Sequence, residues 1–114
     1  MQFYVLHQLF DDLAVEVLAY VDMIAERATT LGGVAKGTVR MAAANSKLTQ
    51  SLDTFDNSEF TVKKMVEKYS IIAESTRNAI DVSEKLGDKA TADLFTEVSR
   101  GIDKGLWLLE SHLN

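Results

Sequence analysis

Hydrophobic residues recur every three or four positions in three long stretches of this chain, the spacing of helices with one buried face. The first stretch predicts a helix from about residue 2 to residue 31, ended by Gly32 and Gly33. The second runs from about residue 56 to residue 87, and the third begins at residue 88. Alternation typical of strands is not sustained in the sequence, so the pattern predicts an all-α fold.

The helix starts carry recognisable capping residues. Asp56 and Glu59 have the spacing of a capping box at the start of the second helix. Asp88 is a good N-cap residue for the third helix. Residues 34–55 form a polar crossover connector with room for one short helix. Three long helices with a long connector indicate a bundle, in which four helices are the common number.

The first helix has two apolar stripes where an ordinary surface helix has one. The first stripe consists of Leu6, Phe10, Leu13, Val17, Ile24, Ala28 and Leu31. The second stripe, beside it, consists of Ala14, Leu18, Val21 and Ala25. Two stripes predict two packing partners: the helix's own bundle and a second subunit.

The candidate chemistry lies along the second stripe. His7 and Asp11 are separated by four positions, as are Asp22 and Glu26, and all four fall within an arc of roughly 100°. An imidazole together with carboxylates suits iron, zinc or manganese. The simpler interpretation is a hydrogen-bonded or solvated pair, but unpaired carboxylates on an apolar stripe are costly.

One helix cannot build one small site from both pairs, because Asp11 and Asp22 are about 16 Å apart along the axis. A second copy of the chain, with its helix antiparallel to the first and related to it by a two-fold axis, can bring the two pairs together. If position i faces position 33 − i of the second copy, His7 meets its Glu26 and Asp11 meets its Asp22, with the two-fold axis passing near residues 16 and 17. Two identical metal sites would then form at an isologous interface.

Composition narrows the classes of function. The net charge is −5 and the pI is about 4.9, which favours cations and argues against a large basic surface for nucleic acid. Lys63, Lys64 and Lys68 form a small basic cluster that is best interpreted as a solvated helix face. Cysteine is absent, which excludes disulfides and thiolate metal sites. No apolar run predicts a membrane span and no signal peptide is evident, so we expect a cytoplasmic protein.

Several segments resemble the Dps family of ferritin-like proteins. Residues 21–27, VDMIAER, followed by LGGVA at 31–35, are similar to that family's signature. Residues 3–7 with Asp11 resemble the part of the family that precedes this signature. Segments at 87–94 and 103–107 resemble its last helix. The resemblance covers nearly the whole chain.

The resemblance implies a ferroxidase and iron-storage protein, in which dodecameric shells of four-helix subunits oxidise Fe(II), preferably with hydrogen peroxide, and store ferric mineral. It implies that His7 and Asp11 of one subunit and Asp22 and Glu26 of its mate bind the iron. Three further acidic residues resemble lining residues of a three-fold iron-uptake pore: Asp88, Asp93 and Glu97. Asp88 has the alternative role of an N-cap. Family members with basic tails bind DNA and associate with the nucleoid. This sequence has no such tail, so the resemblance leaves DNA binding open for a longer parent protein only.

The sequence departs from the family at its start. The family has a preceding helix that ends in a His-Trp-Asn-like stretch and supplies another iron ligand. We therefore expect residues 1–114 to be a single, N-terminally truncated Dps-like domain whose first apolar stripe is exposed. The chain could be a fragment, a degenerate homologue, or a subunit completed by another segment. Trp107, expected in the core, does not replace the lost residues. The alternative function is a helical assembly or interaction module without a working ferroxidase centre.

Overall fold

The computed structural model describes residues 3–49 and 57–114, and these form four helices and no strand. Their bounds are α1, Phe3–Thr30; α2, Val39–Asn45; α3, Ser58–Lys85; and α4, Lys89–Ser111. The predicted all-α fold of three long helices is confirmed, and the short α2 lies in the connector. In this part of the chain no helix combines the length and apolar character that crossing a bilayer requires.

Glycine ends α1 where the sequence predicts a stop. Gly32 has φ +88°, a left-handed conformation that glycine adopts without steric cost. The Gly33 amide then donates to the Ala28 carbonyl at 2.8 Å, which satisfies one of the free carbonyls of the last turn. The chain therefore leaves α1 sharply and begins the connector.

The start of α3 differs from the prediction by one residue. Its N-cap is Asn57, whose side-chain oxygen accepts a hydrogen bond from the Phe60 amide at 2.8 Å. The prediction of a capping box between Asp56 and Glu59 is therefore wrong; Asp56 itself lies outside the described residues. Adjacent aspartate and asparagine are both good caps, so residue type alone did not choose between them.

A tight turn joins α3 and α4 into an antiparallel pair. Gly87 has φ +77° and takes the left-handed position after α3. Asp88 is the N-cap of α4, as predicted, and its carboxylate accepts from the Thr91 amide at 3.0 Å. Because only three residues separate the two helices, they pack along their whole lengths.

The core forms where α1 lies against the α3–α4 pair. Its fully buried members come from all three long helices: Leu6, Leu13, Val62, Tyr69, Ala73, Val98, Ile102 and Leu109. Leu6 and Leu13 are each 4% exposed, so the expectation that the first stripe of α1 is exposed is wrong for these two residues. Other members of that stripe, such as Phe10, Val17 and Ile24, are half-buried against the same core.

The prediction that Trp107 lies in the core is also wrong. This side chain is 63% exposed on α4, although a single tryptophan in a small helical chain is expected in the core. The reason is its position, since its neighbours Leu106 and Leu109 take the inward-facing positions of that turn.

Two glycines of α4 set how closely the helices approach. A Cβ atom at Gly101 would overlap the Tyr20 hydroxyl of α1 and lie 2.5 Å from the Glu16 carboxylate. A Cβ atom at Gly105 would lie 2.8 Å from the Tyr69 ring and 3.0 Å from Leu13. Both glycines are therefore required by contact with neighbouring helices, although glycine in a helix costs about 1 kcal/mol relative to alanine.

We expect Gly101→Ala to destabilise the chain by about 1–2 kcal/mol, the overpacking cost less the gain in helix propensity. Gly37→Ala is the matched control, because a Cβ there meets nothing within 4 Å. Urea denaturation followed by circular dichroism measures both variants. A Gly101→Ala variant as stable as the Gly37→Ala variant would show that α1 does not need this close approach.

Candidate metal centre

The predicted ligands lie at exposed positions along α1. His7, Asp11, Asp22 and Glu26 are all exposed in the single chain, and the first two also line a cavity between α1 and the start of α3. The second apolar stripe lies on the same face, and its Leu18 is 65% exposed. Val15, beside it, is 70% exposed. α1 therefore has one face buried in its own chain and an exposed face of mixed apolar and ionisable character.

His7 and Asp11, the first candidate pair of ligands, contact each other within the chain. His7 Nδ1 lies 3.1 Å from Asp11 Oδ2, with the two side chains 57% and 67% exposed. The Phe3 ring packs edge-on against the imidazole, with ring centroids 5.8 Å apart. The carboxylate fixes the orientation of the imidazole through Nδ1, which leaves Nε2 available to a metal.

The second ligand pair lies near the other end of α1. Asp22 and Glu26 are one helical turn apart and both are exposed. Helical rise keeps Asp22 about 16 Å from Asp11 along the axis. Among residues 3–49 and 57–114, no three histidine, aspartate or glutamate side chains come together closely enough to hold a metal ion. A site with more than two of these ligands would need ligands from outside these residues.

Asp88, one of the predicted pore residues, is bound within its own chain. Besides capping α4, it accepts from the Thr91 hydroxyl at 2.6 Å and from Arg27 Nη2 at 3.2 Å. Arg27 Nε also donates to the Thr91 hydroxyl at 2.9 Å. The hydrogen bonds from Thr91, reinforced by the Arg27 guanidinium, lower the pKa of Asp88 below its ordinary value. Its carboxylate is an anchor between α1 and α4 in this chain.

The other two pore candidates are free of such bonds. Asp93 and Glu97 are exposed on α4 and one helical turn apart, so their carboxylates share one side of the helix. Asp93 also borders a shallow surface depression together with Glu84 and Lys89.

A pair of polar residues inside the α1–α4 contact was not found from the sequence. The Tyr20 hydroxyl donates to Glu16 Oε1 at 2.6 Å beside Gly101. Burial, and then this hydrogen bond, raise the pKa of Tyr20. Burial, with the nearby Glu16 carboxylate, raises the pKa of Tyr69 to about 12. The four-residue spacing of Glu16 and Tyr20 was the available signal, but their placement against α4 depends on packing.

The small basic cluster on α3 makes local contacts. Lys63 pairs with Glu59 at 3.4 Å, and Lys64 pairs with Glu67 at 3.5 Å. Lys68 donates to the Thr49 carbonyl at 2.6 Å and so holds the end of the connector. These contacts agree with the interpretation of the cluster as a solvated helix face.

Several known proteins are similar to this chain in fold and in sequence. Residues 1–114 match the ferritin family as a ferritin-like domain. Crystal structures of Dps from Staphylococcus aureus and Thermosynechococcus elongatus superpose with TM-scores of 0.92 and 0.93, at 28% and 25% identity. Both alignments cover 98% of this chain, and they cover 74% and 71% of those chains. The DNA protection during starvation protein of Agrobacterium fabrum is 37% identical over 98% of this chain and 69% of its own length.

The chain belongs to the Dps group of the ferritin-like family. General stress protein 20U of Bacillus subtilis, 27% identical, is matched over 97% of this chain and 76% of its own length. At the level of the family, Dps membership supports iron storage and protection against oxidative damage. The carboxylate-rich outer face of α1 is chemically suited to such a function.

Asp88→Asn keeps a capping oxygen and removes the charge, so it tests the bond to Arg27. The pKa of Asp88 is lower in the folded chain than in the unfolded chain, so the ionised carboxylate stabilises the fold. This stabilisation is complete at pH values above the unfolded pKa, and it is lost as the pH falls through the folded pKa. We expect a lower urea midpoint for Asp88→Asn at pH 7. The difference from the wild type should shrink as pH falls below the ordinary pKa of an aspartate and vanish below the folded pKa of Asp88. Asp81→Asn, an exposed carboxylate on α3, should match the wild type throughout. A pH-independent loss would contradict the ionic role.

Proposed function

We propose that this Dps-type chain oxidises Fe(II) at sites shared between two copies and stores the ferric product inside an assembly of copies. His7 and Asp11 of one copy, with Asp22 and Glu26 of the other, are the proposed ligands. Iron is the substrate and the stored cargo.

The observation that carries the proposal is the symmetry of the exposed face of α1. The two ligand pairs lie at equal distances on either side of the exposed Val15 and Leu18. In an antiparallel pair in which residue i faces residue 33 − i, Val15 of one copy meets Leu18 of the other. The same register brings His7 to Glu26 and Asp11 to Asp22. Burial of exposed apolar side chains at the centre then favours the association that completes both sites.

The chemistry of the ligands fits iron. Carboxylates and a neutral imidazole bind Fe(II), and the negative charge of the carboxylates stabilises the Fe(III) that forms. In the proposed reaction two Fe(II) ions each lose one electron. One hydrogen peroxide molecule accepts both electrons and two protons, its O–O bond breaks, and two water molecules are released.

Acidic residues on α4 provide a route for the cation. Asp93 and Glu97 are exposed and close together, and we propose that they attract Fe(II) at the entrance to the assembly. Asp88 is assigned a structural role in this proposal, because Arg27 and Thr91 occupy its carboxylate.

Complementation between two inactive variants tests whether the sites are shared. One variant carries His7→Ala and Asp11→Asn, and the other carries Asp22→Asn and Glu26→Gln. We expect each variant alone to oxidise Fe(II) with peroxide no faster than buffer does. Co-expressed with different tags and purified as mixed assemblies, they should recover about one quarter of the wild-type rate. Half of random dimers are mixed, and one of the two sites in each is intact.

Glu74→Gln with Asp81→Asn is the matched control, since it removes two exposed carboxylates from α3 and should keep the wild-type rate. Mixed assemblies without activity would argue against sites between copies. Full activity in either single variant would remove its residues from the site. An inactive wild-type chain would favour a helical interaction module without a ferroxidase centre.

A further inference from the structure

The end of α1 is tied to the start of α4 by one arginine. Arg27 donates from Nε to the Thr91 hydroxyl and from Nη2 to the Asp88 carboxylate, at 2.9 and 3.2 Å. Asp88 and Thr91 also bind each other, so the three side chains form a closed network. The Arg27 side chain is only 27% exposed, which limits the competition from water.

The neighbouring residue, Glu26, is a proposed iron ligand close to the end of α1. It lies four residues before Thr30, where the helix ends. The carbonyls of residues 27, 28 and 29 accept hydrogen bonds from the amides of residues 31–33, and the Thr30 hydroxyl donates to the Glu26 carbonyl at 2.8 Å. All of these bonds lie within the end of α1 and do not join it to another helix.

Arg27 joins this end of α1 to the start of α4. Consecutive residues of a helix point about 100° apart, so Arg27 reaches α4 while Glu26 remains on the outer face. In the described part of the chain, the hydrogen bonds that join the last turn of α1 to another helix are those donated by Arg27. Asp22 lies a full turn further from the end of the helix, so its position depends less on the hydrogen bonds of Arg27.

We propose that Arg27, through Asp88 and Thr91, is the positioning residue for Glu26 in the shared metal site. This inference rests on the proposed function, because it assigns a partner to one of the proposed ligands. The network fixes the backbone next to Glu26, so its carboxylate faces the second copy with little loss of conformational freedom on metal binding. Supporting residues of this kind typically affect metal affinity by about 10–100-fold.

Anaerobic titration with Co(II), whose visible spectrum reports ligand number and geometry, tests this role on the full chain. We expect Arg27→Gln to weaken Co(II) binding about tenfold and to change the spectrum. Thr91→Val, which keeps the arginine, should act in the same direction. Arg77→Gln is the matched control, because Arg77 makes a 3.2 Å ion pair with Asp103 between α3 and α4. It should bind Co(II) as the wild type does.

The decisive comparison uses Glu26→Gln. If Arg27 acts through Glu26, adding Arg27→Gln to that variant changes neither the Co(II) affinity nor the spectrum further. An undiminished effect of Arg27→Gln in the Glu26→Gln background would assign Arg27 a general structural role and overturn the inference. So would an Arg27→Gln chain that binds Co(II) as tightly as Arg77→Gln. If Glu26→Gln itself leaves Co(II) binding unchanged, the proposed metal site fails and the inference fails with it.

Discussion

The packing of α1 against α4 of the α3–α4 pair determines which of its two apolar stripes meets the core. Gly101 and Gly105 remove the side chains that would keep α1 away, and Leu13 fills the space beside Gly105. The Tyr20–Glu16 hydrogen bond satisfies the polar groups that this contact encloses. Once α1 lies in this orientation, its rotation about its own axis is fixed.

That rotation gives the outer face its chemical character. His7, Asp11, Asp22 and Glu26 are all exposed, with Val15 and Leu18 exposed between the two pairs. His7 and Asp11 also line a cavity between α1 and the start of α3. A single chain cannot bring the pairs together, because a rigid helix keeps them about 16 Å apart. The same rigidity keeps the spacing regular, which the proposed antiparallel copy needs if it is to complete the site. The network of Arg27, Asp88 and Thr91 ties the end of α1 to α4.

Local features of this fold were predictable from the sequence, and features that depend on packing were not. The stop at Gly32 and the cap at Asp88 follow from the conformational needs of helix ends. The burial of Leu6 did not follow, because a helical pattern shows that a stripe exists but not which neighbour covers it. The bond between Arg27 and Asp88 joins residues 61 positions apart and depends on how the helices pack. The candidate ligand residues were predicted from their spacing and by resemblance, and both their role and their pairing between copies remain proposals.

Anomalous diffraction from crystals soaked anaerobically with Fe(II) tests the central claim most directly, because it locates the ion itself. The proposal predicts two equivalent iron peaks for each pair of antiparallel α1 helices. Each peak should lie within about 2.0–2.3 Å of His7 or Asp11 of one copy and of Asp22 or Glu26 of the other. An iron peak bound by residues of one copy alone, or one remote from α1, would contradict the shared site.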